Sequence, residues 1–185
     1  MNHRLPDSHS GFVIDTHELG RRAGAMKTIE RVVDAPEGIG IDMIGVPTGS
    51  PVTLDLQVES VVEGILVTGT GAFSLTGECA RCLREVTSSD EVDLQELFVF
   101  PGKEDDDPEA SRVEGDFVDL EPVFRDAVVL NLPFTPLCRP DCLGMCPQCG
   151  FNLNDDPGHN HGEQTDPRWA GLAGWQDTTN PGPRP

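Results

Sequence analysis

The 185-residue chain is long enough for one domain with a hydrophobic core, or for one domain and a small appendage, but with 37% hydrophobic and 5% aromatic residues that core is lean. A formal net charge of −19 argues against broad binding to phosphate backbones, which takes lysine and arginine, and is compatible with a basic protein partner or a local arginine patch. There is no run of about 18 apolar residues to cross a membrane, and the polar stretch from Met1 to Ser10 lacks an apolar signal core, so the expected location is cytoplasmic.

Taken in chain order, residues 1–10 read as a disordered N-terminus and 11–136 as the core domain. Phe12-Val-Ile-Asp15 reads as a short strand, and Thr16 to Gly24 as a short helix or turn closing on glycine, with His17 on its surface. Met26 to Val33 is a strand, Ala35 to Gly38 a turn, and Ile39 to Val46 a further weak strand. The strongest strand follows, where Val52, Leu54, Leu56 and Val58 alternate with Thr53, Asp55, Gln57 and Glu59. After a turn at Glu63-Gly64, Ile65 to Cys79 repeats the alternation, and Gly69 and Gly71 within it predict a bend or bulge. The chain reverses around Cys79-Ala-Arg-Cys82 and returns through Val86 to Phe100, where a change of parity near Glu96 predicts a second bulge. These three strands form an antiparallel meander, or partly closed sheet.

Residues 103–115 form an acidic loop carrying Glu104-Asp-Asp-Asp107, read as a solvated stretch. Asp116 to Asp119 is a short edge strand. Leu120, Val123, Phe124, Ala127 and Val128 then recur at helical spacing, with Asp119 as N-cap and Pro122 in the first turn. Pro133 and Pro136 stop this amphipathic helix, and one helix packed on an antiparallel sheet makes an α+β domain. Residues 137–162 are a Cys/His-rich segment. Residues 163–175 carry Trp169, Leu172 and Trp175 three apart, a short helical stripe that packs on the domain or serves as a partner-binding peptide, and 176–185 read as a disordered tail.

The chemistry lies in the cysteines. Four of the six lie between Cys138 and Cys149, and Cys79 and Cys82 form a separate Cys-x-x-Cys pair. In a reducing cytosol such pairs point to metal or redox chemistry rather than to disulfides. Two cysteines separated by two residues grip one zinc ion from a tight turn, and Cys146-Pro-Gln-Cys149-Gly150 has that form. A thioredoxin-like pair needs a βαβ setting, which is absent, and the spacing is not that of a ferredoxin. His159 and His161 bring the ligand candidates to eight. One partition joins Cys79 and Cys82 to Cys138 and Cys142, and Cys146 and Cys149 to His159 and His161. The other makes one site from Cys138, Cys142, Cys146 and Cys149 and leaves the upstream pair aside. The count is thus one or two ions, and a site filled by four protein ligands is structural rather than catalytic. No phosphate loop, nucleophile elbow or paired acid and base indicates an enzyme or a small-molecule substrate.

Glu78-Cys-Ala-Arg-Cys-Leu83, Asp119-Leu-Glu-Pro, Leu130-Asn-Leu-Pro133 and Cys142-Leu-Gly-Met-Cys-Pro-Gln-Cys-Gly-Phe-Asn-Leu-Asn154 together resemble the YceD family, the large ribosomal RNA subunit accumulation proteins. The resemblance covers roughly residues 12 to 175. It implies a non-enzymatic role in 23S rRNA accumulation and large-subunit assembly. The family's cysteine pattern falls on Cys79, Cys82, Cys138, Cys142, Cys146 and Cys149. Where many members carry Cys-x-Cys, this chain has His159-Asn-His161, an exchange that keeps zinc ligation. Three partner readings follow. A factor that binds 23S rRNA or an assembly intermediate would use Arg81, Arg84 and Arg139. An acidic interaction module would hold a basic ribosomal protein. A zinc- or redox-responsive regulator would exchange its thiolates.

Overall fold

The computed structural model describes residues 10–20, 22–102, 110–162 and 168. The acidic run 104–107, the tryptophan segment 163–175 apart from Arg168, the N-terminus before Ser10 and the tail 176–185 lie outside the described residues. The chain forms two compact units that divide between Cys142 and Leu143, so the Cys/His-rich segment contributes to both.

The first unit is an α+β domain of eight strands and one helix among the described residues. They are β1 (Val13–Asp15), β2 (Met26–Asp34), β3 (Gly40–Ile41), β4 (Ile44–Gly45), β5 (Pro51–Ser60), β6 (Gly64–Glu78), β7 (Glu85–Val99), β8 (Phe117–Asp119) and α1 (Glu121–Asn131). The antiparallel meander β5–β6–β7 is present, and β2 extends it beyond β5. The fifteen-residue β6 organises the sheet. Along one edge it pairs with all of β7, and along the other it pairs first with β5 and then with β4. Among the described residues no ladder joins β2 to β7, so the sheet does not close into a barrel. Residues Ile39 to Val46 are a small hairpin, not one strand. Gly40 and Gly45 meet there so closely that a side chain on either would strike the other's backbone.

Period-two alternation places Val52, Leu54, Leu56 and Val58 on the inner face with Ile65, Val67, Phe73 and Leu75. The bulges expected at Gly69 and Gly71 and near Glu96 are absent, since pairing runs one to one through all three positions. The glycines serve close approach instead. A Cβ on Gly69 (φ +152°) would lie 2.0 Å from the Asp55 carbonyl oxygen, and one on Gly71 would lie 2.9 Å from the Phe124 ring. Near Glu96 the parity does not change. Val92, Leu94, Glu96 and Phe98 all face inward, and the odd-numbered Leu97 is an exposed outward residue.

Helix α1 buries Phe124 and Val128 against the inner face. Phe124 packs between Phe12, at 5.2 Å between ring centroids, and Phe73, at 5.7 Å edge-to-face. The Arg125 guanidinium ties the helix to the loop before β3 by donating to the Glu37 and Gly38 carbonyl oxygens. The N-cap position belongs to Leu120 rather than Asp119. The Asp119 carboxylate sits one residue earlier and accepts the Glu121 N–H at 2.9 Å. Residues 16–20 form turns rather than a helix, because β1 pairs with β8 and Thr16 bonds to the Asp116 carbonyl across the same contact. Among the described residues no helix is long and apolar enough to cross a membrane.

Candidate metal centres

Two local features bring the first four cysteines together. At the tip of the β6–β7 hairpin, the Cys79 N–H donates to the Arg84 carbonyl and the Leu83 N–H to the Cys79 carbonyl. This tight loop is closed by Leu83 at φ +56°, an uncommon conformation for a residue with a side chain. It turns both sulfurs of Cys79-Ala-Arg-Cys82 the same way. The second feature is the exit of α1. Pro133 follows the helix end and the chain bends through residues 134 and 135, and the Pro136 carbonyl accepts the Ala80 N–H at 2.8 Å, which fastens the exit segment to the hairpin tip. The Cys142 N–H then bonds back to the Arg139 carbonyl, closing the turn that carries Cys138 and Cys142.

The resulting cluster is Cys79, Cys82, Cys138 and Cys142, with all four sulfurs within 4.8 Å of one another. Cys79, Cys82 and Cys142 are buried and pack with Val86 and Leu137 in a small cluster separate from the main core. Sulfur–sulfur distances are 3.8 Å for Cys79–Cys142 and 3.6 Å for Cys82–Cys138. A tetrahedral zinc–thiolate site with bonds of about 2.3 Å has sulfur–sulfur edges of about 3.8 Å, and these two distances match it. The thiols also titrate far apart. Burial raises Cys79, but backbone N–H groups of Cys138, Arg81 and Cys82 outweigh it and bring the thiol down to about 6. Cys138 is pushed up to about 12 by desolvation and by hydrogen bonding with Cys82, Cys142 and Cys79. Four sulfurs this close cannot all ionise unaided, and a divalent cation supplies the compensating charge.

The second cluster is Cys146, Cys149, His159 and His161, again with ligand atoms all within 4.8 Å of one another. Its scaffold is a knuckle in which the Cys146 N–H donates to the Phe151 carbonyl and the Gly150 N–H to the Cys146 carbonyl. Gly150 sits at φ +72°, where a side chain would be strained. The imidazole Nε2 atoms of His159 and His161 lie 3.3 and 3.2 Å from the Cys149 sulfur and 3.0 Å from each other. These are a few tenths of an ångström inside the roughly 3.4–3.6 Å edges of a mixed sulfur–nitrogen zinc site. The Cys146 thiol is lowered to about 7, chiefly by the Gln148 and Cys149 backbone N–H groups. Unlike the first cluster, this one is shallow: only Cys146 is buried.

Several supporting residues have no cysteine or histidine to mark them. The Asn152 Oδ1 accepts from both the N–H and the side-chain amide of Asn154, whose own Oδ1 accepts the Leu143 N–H. Phe151 stacks on the His159 ring at 4.6 Å and fixes its plane. The Asp156 carboxylate accepts the Gly158 N–H and shapes the turn before His159. Such partners orient ligands as much as the ligands hold a metal. The signal that could have found them is the Asn-Leu-Asn spacing directly after the knuckle.

The three arginines proposed to meet RNA are all exposed, with distinct surroundings. Arg81 donates to the Cys142 carbonyl at 2.9 Å and so braces the first cluster. Arg139 pairs with Asp141 at 3.3 Å. Arg84 contributes its backbone carbonyl to the hairpin tip.

A sequence model described as "Large ribosomal RNA subunit accumulation protein YceD" matches residues 67–175, which include all eight cluster residues. An uncharacterized protein of Mycobacterium tuberculosis is 50% identical over 167 residues, 88% of this chain and 80% of the relative. One from Mycobacterium leprae is 40% identical over 168 residues, covering 88% and 76%. The uncharacterized protein YlbN of Bacillus subtilis is 30% identical over 106 residues, 54% of this chain and 62% of the relative. No solved structure matches.

Proposed function

The chain belongs to the YceD family, and on that premise we propose that it is a non-enzymatic, cytoplasmic factor that supports accumulation of the large-subunit ribosomal RNA, its fold held by two structural zinc ions. The observation that carries the metal half of this reading is the division of eight ligands into two complete sets of four. When bound, zinc supplies a cross-link between segments distant in sequence and the positive charge that keeps clustered thiolates ionised. Cys79, Cys82, Cys138 and Cys142 hold one ion and lock the α1 exit to the hairpin tip. Cys146, Cys149, His159 and His161 hold the other and close the knuckle. Four protein ligands fill a tetrahedral sphere, which favours a structural role over catalysis. None of the six cysteines is in a disulfide, which fits ligation in a reducing compartment.

In this reading Arg81 is a positioning residue for the clamp, and partner contact falls to the surface of the first unit. Cells that lack the protein are expected to show a lowered ratio of 23S to 16S rRNA, restored by the wild-type chain and not by a Cys79→Ser, Cys142→Ser variant. An unchanged ratio on deletion would remove the ribosomal reading.

A further inference from the structure

Among the described residues the sheet buries one face and leaves the other largely exposed. The core and α1 lie on the inner face, whereas the outward residues of β2, β5, β6 and β7, apart from Gly64 at the start of β6, are exposed or half-buried. Register gives this open face a definite pattern. Glu30, Asp55, Thr70 and Asp93 form one row across the four strands. On one side runs the neutral row Thr28, Gln57, Thr68 and Gln95, and beyond it Met26, Glu59, Leu66 and Leu97. On the other side lies the row from Val32 to Glu91. Met26, Val32 and Leu97 are 58%, 66% and 37% exposed, so apolar side chains stand at the rim of an acidic band.

No lysine or arginine points outward from these four strands. The two cations of β2 are engaged elsewhere: Lys27 with Glu18, and Arg31 with the Val13 carbonyl. Folding gains nothing from this arrangement. Glu30 lies directly opposite Asp55, and Glu78 opposite Glu85, and like charges facing each other across paired strands destabilise a sheet. Exposed methionine, valine and leucine at the rim add no stability to the isolated chain either.

We propose that this open face is the docking surface for an extended, Lys/Arg-rich protein segment with apolar residues among its cations. The occupant follows from charge complementarity. A face carrying Glu30, Asp55, Glu59, Glu91 and Asp93 with no cation repels a phosphate backbone and attracts a basic peptide. Three gaps of about 4.8 Å separate β2 from β7, so four or five extended residues at about 3.3 Å each cross the band. The cations meet the acidic row, and the apolar residues meet Met26, Val32 and Leu97. The nature of the partner as a ribosomal protein rests on the family reading above. The surface itself does not.

The test is fluorescence anisotropy on the full-length protein with a labelled peptide of about 12 residues built from Lys-Ile-Arg repeats, against the same peptide with glutamine for every cation. The face variant Glu30→Gln, Asp55→Asn, Asp93→Asn removes the acidic row and relieves one like-charge pair, so it folds at least as well as wild type. The control Glu37→Gln, Asp42→Asn, Asp126→Asn removes the same charge away from this face. The face variant is expected to bind the basic peptide at least tenfold more weakly, the control within about twofold, with affinity falling as salt rises. Equal weakening by both variants would reduce the effect to net charge and overturn the proposal. So would unchanged binding by the face variant, or a labelled 23S rRNA fragment that, with no peptide present, binds wild type and not the face variant. Such a failure leaves the 23S to 16S ratio untouched as the test of the ribosomal role.

Discussion

Replacing Cys79 with serine is expected to lower the melting temperature of the first unit by roughly 10 °C or more, at about 2–4 °C per kcal/mol for a domain of this size. Apparent zinc binding in a structural site is worth on the order of 10 kcal/mol at neutral pH, a sum comparable with the whole stability of an ordinary domain. Removing one of four ligands forfeits much of it and leaves the other three sulfurs without a shared counter-charge. The damage is local first. Cys79, Cys82 and Cys142 form a cluster apart from the main core, and the main core has its own apolar residues on β5, β6 and α1. Hydrogen exchange should therefore lose protection at residues 79–84 and 136–142 while the middle of β6 keeps it. A Cys149→Ser variant should leave the first unit's transition in place, because its metal ligands lie after Cys142. Identical melting of wild type and Cys79→Ser would mean that the first cluster holds nothing together.

The second large effect is at the centre of the fold. Phe124→Ala is expected to cost about 3–5 kcal/mol, the range for truncating a buried phenylalanine. Phe124 is fully buried, lies between the Phe12 and Phe73 rings, and occupies the space that Gly71 leaves by having no side chain. It joins β6, α1 and the turn that leads into β1 at one point, so neighbouring side chains cannot collapse into the gap without moving three segments. Urea denaturation checks this through the midpoint at constant slope. A change below about 1 kcal/mol would mean that the site relaxes freely.

Much of this architecture was legible because it is periodic. The alternation from Val52 to Glu59 and the helical spacing from Leu120 to Val128 each name one buried face, and those faces meet in the core. What periodicity does not carry is distance. Gly69 and Gly71 read as a bulge, but a glycine that relaxes a strand and a glycine that admits a neighbour look alike in sequence. Here the neighbours are the Asp55 carbonyl and the Phe124 ring. The pairing of β1 with β8 joins segments about a hundred residues apart and has no local signal. The division of the ligands was open for the same reason. Spacing alone allowed Cys138, Cys142, Cys146 and Cys149 to form one site. The structure instead groups Cys138 and Cys142 with the hairpin cysteines, and bonds from the Ala80 N–H to the Pro136 carbonyl and from Arg81 to the Cys142 carbonyl hold the α1 exit against the hairpin. The residues that brace the second cluster, Phe151, Asn152 and Asn154, act through ring stacking and amide hydrogen bonds that no ligand-spacing rule describes.

The structure also separates two kinds of acidic residue. A net charge of −19 says only that the chain is acidic. Strand register places Glu30, Asp55, Glu59, Glu91 and Asp93 together on the outward face of four strands, with exposed Met26, Val32 and Leu97 at its rim. On the reading proposed above, the metal centres would hold the hairpin end and the knuckle, and partner recognition would fall to the outward face of the sheet.

The most direct test of the two-centre account is elemental analysis of the protein purified without added metal. Two zinc ions per chain are expected, falling to one in Cys79→Ser and to one in His159→Ala, His161→Ala. A single ion in the wild type that persists in both variants would contradict the account.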